Sequence, residues 1–295
     1  MWSYHWPGSR ATGSLTLRGL PAIRRRVVVD FVAAVVQMSS GGDRADNVAR
    51  AAALVREAAR GGARLVVLPE VFAWRGVDPS DPTSAETVPG PTIDALAALA
   101  RDLRIVLCAG SLLEAVPGEA RRYNTSCVID PSGTIVARYR KVHLFDVALP
   151  GRVAVTESAT RLAGDEPVVA RTALATLGCS ICYDLRFPEL YRRLAAAGAH
   201  VLLVPSAFTF PTGEAHWDVL CRARAIENQC YLLAANQWGP SPHGHRDYGN
   251  SLIVDPWGTV VARAADGEGI AMAKLDGAEL DRVRRELPAL AHRRL

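Results

Sequence analysis

Gly178-Cys179-Ser180-Ile181-Cys182-Tyr183-Asp184-Leu185-Arg186-Phe187-Pro188-Glu189-Leu190 runs from an apolar stretch through a polar turn into a helix start. Residues 174–183 read as a buried strand, and 187–197 as a helix with Pro188 in its first turn. A strand that feeds a helix through a short turn is the unit of layered α/β proteins. A cysteine at that junction is expected to be exposed at the sheet edge and close to a helix N-terminus, and both conditions favour thiolate. Cys179 suits a packed strand position. Cys182, with polar Tyr183, Asp184 and Arg186 behind it, reads as the reactive thiol. The two also spell C-x-x-C, which raises a redox alternative. Residues three apart on a strand face opposite sides, however, so a disulfide between them is awkward.

Outward from this stretch the alternation continues. Towards the N-terminus lie strands at 26–38, 64–68 and 104–113 and helices at 43–60 and 92–103. Gly61-Gly62 stops the first helix and Pro91 opens the second. Strands at 123–130 and 134–139 flank Asp130-Pro131-Ser132-Gly133, a hairpin signal. A second hairpin is read at 250–254 and 259–264 around Asp255-Pro256-Trp257-Gly258, and the repeated turn hints at internal pseudo-symmetry. Between the hairpins come strands at 201–204 and 231–235 and a helix at 216–228; strand 269–274 and helix 279–286 close the chain. Alternating strands and helices interrupted by hairpins predict an α/β fold with mixed sheets. No linker-like stretch divides the chain, so a single domain over 26–295 is expected, preceded by a disordered extension over 1–25.

Composition narrows the function. The chain has 295 residues, 49% hydrophobic and 22% charged, with a net charge of +4. Its basic residues are not interleaved with aromatics, so nucleic acid is not expected as a partner. No run approaches the roughly 18 apolar residues of a membrane span, and the first 21 residues lack the apolar core of a secretory signal. Six cysteines set mostly in apolar runs suggest a reducing compartment, read here as cytoplasmic. There is no G-x-S-x-G, P-loop, G-x-G-x-x-G or H-E-x-x-H. His243 and His245 lie in a Gly/Pro loop without a ligand partner at suitable spacing and read as exposed, so no metal is expected.

Two further segments carry chemistry. Leu65-Val66-Val67-Leu68-Pro69-Glu70 puts a carboxylate at the end of a buried strand, where α/β proteins place site residues. Alone, Glu70 is equally a helix cap or an exposed strand end. Tyr139-Arg140-Lys141-Val142-His143-Leu144-Phe145-Asp146 follows the first hairpin, and alone it reads as solvated charge.

Together these blocks, with Ala215-His216-Trp217 leading to Arg222-Ala223-Arg224-Ala225-Ile226-Glu227, resemble the nitrilase superfamily of carbon–nitrogen hydrolases, and most nearly its Nit-type amidases. The resemblance runs from about Val28 almost to Arg294. It implies a four-layer α-β-β-α sandwich, no cofactor, and homodimers or larger homo-oligomers. It places the family's catalytic residues on Glu70, Lys141 and Cys182, with a second glutamate on Glu157 and an oxyanion donor at the backbone N–H of Tyr183. Glu157 alone reads as a surface-loop residue. Arg186 is expected to hold a substrate carboxylate, or else to pair with Asp184 or Glu189. The implied reaction converts a small linear carboxylate-bearing amide to acid and ammonia through a cysteine thioester. Deaminated glutathione is the expected substrate, with α-ketoglutaramate, or the amide of another nitrilase-family amidase, as the alternatives. Residues 1–25, Glu214 and the 238–247 loop depart from the family pattern.

Overall fold

The computed structural model describes residues 28–78, 81–151 and 153–294. The expectation for residues 1–25 therefore falls outside the described residues.

Phe31–Gln37 is flanked by Gly269–Leu275 (antiparallel) and Ala63–Val67 (parallel), and the sheet continues through Val106–Cys108 to Arg122–Ile129. With Leu112–Glu114, Ala85–Glu86, Ile135–Arg140 and Arg161–Leu162 this makes nine strands. The second sheet has six, in the order Val169–Arg171, Thr176–Cys179, Val201–Ser206, Tyr231–Asn236, Leu252–Val254 and Val260–Arg263. Both are mixed, as the alternation of helices and hairpins predicts.

Side-chain alternation sorts the layers. Ala33, Val35, Leu65 and Val67 join one apolar cluster with Leu177, Leu203 and Leu233 of the second sheet. Their neighbours Ala34, Val36, Val66 and Leu68 join another with Val55 of helix α1 (Arg44–Arg60) and Leu96 of helix α2 (Pro91–Leu103). Helices α3 (Pro188–Ala196) and α4 (Phe210–Asn228) send Tyr191, Leu194, Trp217 and Cys221 into the first cluster. Two sheets packed face to face, each with helices outside, form the four-layer α-β-β-α sandwich. Helix α5 (Gly277–Glu286) packs beside the second sheet, where Arg284 donates to the Ala199 and Gln229 carbonyls.

Local signals explain the ends. Asp43 caps α1 by accepting from the Asp46 N–H, worth about 1 kcal/mol. Arg104 and Gln229 close α2 and α4 in left-handed conformations. Three sequence expectations need correction. The single strand expected at 104–113 is two, because Gly110 turns the chain at φ +56° against the Pro69 carbonyl, where a Cβ would lie 2.1 Å away. The strand before the nucleophile candidate ends at Cys179, and Cys182–Arg186 is a 3₁₀ turn. Helix α4 begins at Phe210 rather than at 216, with Pro211 in its first turn. Seven short strands were not legible: Asp146–Leu149 paired with Val153–Thr156, Trp238–Pro240 paired with Arg246–Tyr248, and Ala85–Glu86, Arg161–Leu162 and Val169–Arg171 at the sheets.

Among the described residues no helix is long and apolar enough to cross a membrane.

Candidate active site

The two sheets end on a shared cavity of about 380 Å³, lined by Glu70, Lys141, Glu157, Cys182, Tyr183 and Arg186 among others. The six candidate site residues therefore reach one place.

Glu70 lies three residues beyond Ala63–Val67. Its N–H donates to the Ser206 carbonyl, and its own carbonyl accepts from Gln237 Nε2, so its backbone is tied to the second sheet. Below it, Ser111 beside the Gly110 turn accepts from the Val71 N–H. The carboxylate is 4% exposed and accepts three hydrogen bonds. Oε1 takes Asn124 Nδ2 at 2.8 Å and Lys141 Nζ at 2.9 Å, while Oε2 takes the Ala207 N–H at 2.9 Å.

Lys141 directly follows Ile135–Arg140, and its backbone continues the ladder to the Asn124 carbonyl. At 2% exposure the ammonium meets Glu70 at 2.9 Å and both Glu157 oxygens, at 2.9 and 3.2 Å. Burial opposes its charge, but the Glu157 and Glu70 carboxylates outweigh that and hold the amine well above its usual range. Glu157 opens a short 3₁₀ turn after the Asp146–Leu149 hairpin and is fixed by the Phe145 N–H at 2.7 Å. The surface-loop reading of Glu157 is thus replaced by a contact with the buried lysine.

Cys182 departs from expectation in its environment. It is 8% exposed rather than open at a sheet edge. Burial, reinforced by the Glu70 carboxylate, raises its thiol well above the usual value; Lys141 and the Ala207 N–H only partly offset this. This direction favours the thiol form, with Glu70 as its hydrogen-bonding neighbour. Its backbone sits at φ +49°, and Val71 across the cavity at +46°, two non-glycine residues in the left-handed region. Such conformations cost of order 1–3 kcal/mol and persist where the surroundings impose them. Here the imposing group is Asp184, fully buried. Its Oδ2 accepts from Ile181 N–H and Tyr139 O–H, and its Oδ1 contacts the N–H and Nδ1 of His143. One carboxylate thereby locks the Cys182 turn to the segment that carries Lys141. The N–H of Tyr183, in the first turn of the 3₁₀ segment, has no intrahelical partner.

Arg186 pairs with neither Asp184 nor Glu189. It meets His216 Nδ1 at 3.1 Å and stacks over Phe208, 5.0 Å from the ring centre. Glu214 is exposed on α4 and is not among the cavity residues. His243 and His245 of the 238–247 loop do line the cavity, His243 as an exposed residue and His245 against Asp247 at 3.5 Å. Arg75 lines it too, in a buried ion pair with Asp247. Asn124, Arg75 and Arg161 were missed at the sequence level, since an isolated Asn or Arg inside an unremarkable strand or loop gives no pattern to read. Cys179 and Cys182 are both free thiols.

A buried thiol beside a carboxylate–lysine–carboxylate bridge, between two sheets with helices outside, defines a hydrolytic α/β class. The carbon-nitrogen hydrolase family model matches residues 32–285, and the chain belongs to that family of enzymes, which hydrolyse carbon–nitrogen bonds other than peptide bonds. It is 43% identical over 266 residues to a deaminated glutathione amidase of Synechocystis, covering 89% of this chain and 98% of that one. It is 37% identical over 267 residues to an omega-amidase of Homo sapiens, covering 90% and 96%. Among solved structures it resembles the C. elegans NitFhit protein, with a TM-score of 0.84 and 39% identity, over 90% of this chain and 65% of that longer one. It also resembles a variant amidase from Nesterenkonia that carries the acetamide moiety of fluoroacetamide on its active site cysteine, with a TM-score of 0.75 and 28% identity over 92% and 95%.

Proposed function

We propose that this protein hydrolyses a small linear amide bearing a carboxylate, as a deaminated glutathione amidase, through a thioester on Cys182. The observation that carries the reading is the Glu70–Lys141–Glu157 bridge beside the buried Cys182 thiol. Oε1 of Glu70 already accepts two hydrogen bonds, so Oε2 is the oxygen with room for a proton. As Cys182 Sγ bonds to the amide carbon, its proton passes to that oxygen and the carbonyl electrons move to oxygen. Lys141 and the Tyr183 N–H face the resulting oxyanion, a preorganised donation worth roughly 10²–10³ in rate. Glu70 then protonates the nitrogen, the carbon–nitrogen bond breaks, and the amine leaves. Water attacks the thioester with Glu70 taking its proton, and the departing sulfur recovers a proton as the acid is released. General acid–base help of this kind contributes about 10²–10⁴. Glu157 keeps Lys141 charged and oriented.

Arg186, free of any carboxylate partner among the described residues, suits a two-bond grip on the carboxylate of the acyl half. The nitrogen product depends on the substrate. Deaminated glutathione contains only substituted amides, so it yields an amine; ammonia is released only from a primary amide such as α-ketoglutaramate. The ω-amidase reading is favoured by Arg186 alone, since one carboxylate suffices for that substrate.

The test offers deaminated glutathione, α-ketoglutaramate, glutamine and an aliphatic nitrile, with amine and ammonia release measured separately. Amine release from the first, absent with Cys182→Ala, is expected. Ammonia from α-ketoglutaramate alone would favour the ω-amidase, and turnover surviving in Cys182→Ala would remove the thioester mechanism.

A further inference from the structure

The charged side chains lining the cavity are Glu70, Arg75, Lys141, Glu157, Arg161 and Arg186. Four of them are already matched: Lys141 by Glu70 and Glu157, and Arg75 by Asp247. Two guanidiniums remain. Arg161, at the start of the short strand Arg161–Leu162, makes one hydrogen bond, to the carbonyl of its neighbour Thr160 at 3.2 Å. Among the described residues no carboxylate lies within ion-pair distance of it. Its guanidinium is in no ion pair among the described residues and feels the Glu157 and Glu70 carboxylates only at longer range.

The two guanidiniums, neither in an ion pair among the described residues, reach the cavity from different segments. Arg186 follows Cys182 by four residues, closes the 3₁₀ turn that comes after the second sheet's strand Thr176–Cys179, and stacks on Phe208. Arg161 pairs with the first sheet and lies within electrostatic reach of Glu157 and Glu70, with Arg122 as its cationic neighbour. Glu70 gives its proton to the leaving nitrogen in the mechanism above, and Arg161 is the guanidinium that feels the Glu70 charge, whereas Arg186 feels Cys182 and Tyr183.

We infer that Arg161 is a second carboxylate site, one that holds the amine half of the substrate while Arg186 holds the acyl half. The inference rests on the amidase reading and narrows it. The substrate class becomes the N-substituted amide of a dicarboxylic acid whose amine portion is an amino acid or short peptide ending in a free carboxylate. A guanidinium grips such a group with two parallel hydrogen bonds. A primary amide has nothing for Arg161 to hold.

Binding and turnover test the assignment separately. The ligands are N-glutarylglycylglycine, its C-terminal amide, and glutaramate. Calorimetry uses Cys182→Ala with and without Arg161→Gln, and Arg161→Lys as the charge-retaining control. Arg161→Gln should weaken N-glutarylglycylglycine by about 10- to 100-fold and change the other two less than about twofold. Arg161→Lys should recover part of the loss. Equal weakening of all three, no change in any, or no binding by Cys182→Ala overturns the site. Kinetics on the otherwise wild-type chain then isolate the parent reading: selective binding at Arg161 without cleavage of any of these amides would refute the amidase and leave the subsite standing.

Discussion

The two sheets meet the same cavity with different equipment. The nine-stranded sheet brings Glu70, Asn124 and Lys141 on or just beyond its strands, and these three meet one another through their side chains. The six-stranded sheet brings a thiol in Cys182 and backbone donors such as the Ala207 N–H. Buried charge needs partners arriving from adjacent strands, and the first sheet supplies them. A neutral thiol needs only a turn that fixes its direction, which Asp184 provides. Charge on one side is therefore structural as well as chemical, whereas the thiol opposite is dispensable to the fold.

That contrast can be broken most directly by exchanging the two groups. Lys141→Met should lower turnover by at least about 10² and also cost about 3–5 kcal/mol, because it strands the buried Glu70 carboxylate and the partly buried Glu157. Cys182→Ala should abolish turnover yet unfold at a denaturant midpoint close to wild type. If urea unfolding shows both variants equally destabilised, or neither, the division between the sheets is wrong. A smaller effect is expected at Asp247, which joins the two halves through Arg75: Asp247→Ala should cost about 3 kcal/mol by leaving Arg75 buried and unpaired. Burial opposes the Asp247 charge, but Arg75 overrides it and holds the carboxyl below its usual range of about 3.8. The stabilisation is therefore complete above that pH and is lost as pH falls below it.

The smallest effect sharpens the comparison, because the second sheet has its own titrating group at the end away from the cavity. His200 Nδ1 accepts from the Thr176 N–H at 3.2 Å, and burial, then Arg284, lowers its pKa to about 4. The unfolded chain thus binds the proton more readily between about 4 and 6.5, so stability falls as pH drops through that window. After allowance for partial exposure the loss is about 1–2 kcal/mol. His200→Asn keeps an acceptor without a proton site and should flatten this slope in denaturation curves at pH 7, 5.5 and 4.5.

How much of this was legible in the sequence follows the same division. Helices α1 and α2 announced themselves through caps and periodicity, and both Asp-Pro-x-Gly hairpins form as written, each with its aspartate accepting from two backbone N–H groups of its own turn. Glu70, Lys141 and Cys182 stood at segment ends, where an abrupt change of pattern made them visible. What escaped depends on distant partners. Asn124 lies mid-ladder and is defined by Glu70, 54 residues away; Asp247 is defined by Arg75, 172 residues away. The state of Cys182 escaped for the same reason: its local signals favoured thiolate, but burial against Glu70 reverses them. Residue 110 shows the converse, since its glycine was readable only as a break until Pro69 was seen pressing on it.

The protonated sulfur of Cys182 bears on chemical durability. Peroxides and alkylating agents attack thiolates, and a sulfur that gives up its proton only as it closes on a carbonyl keeps almost no thiolate waiting between turnovers. All six cysteines of the chain are buried and free. Under oxidative load such a protein should outlast enzymes that store a standing thiolate, with its reactivity summoned by the substrate itself.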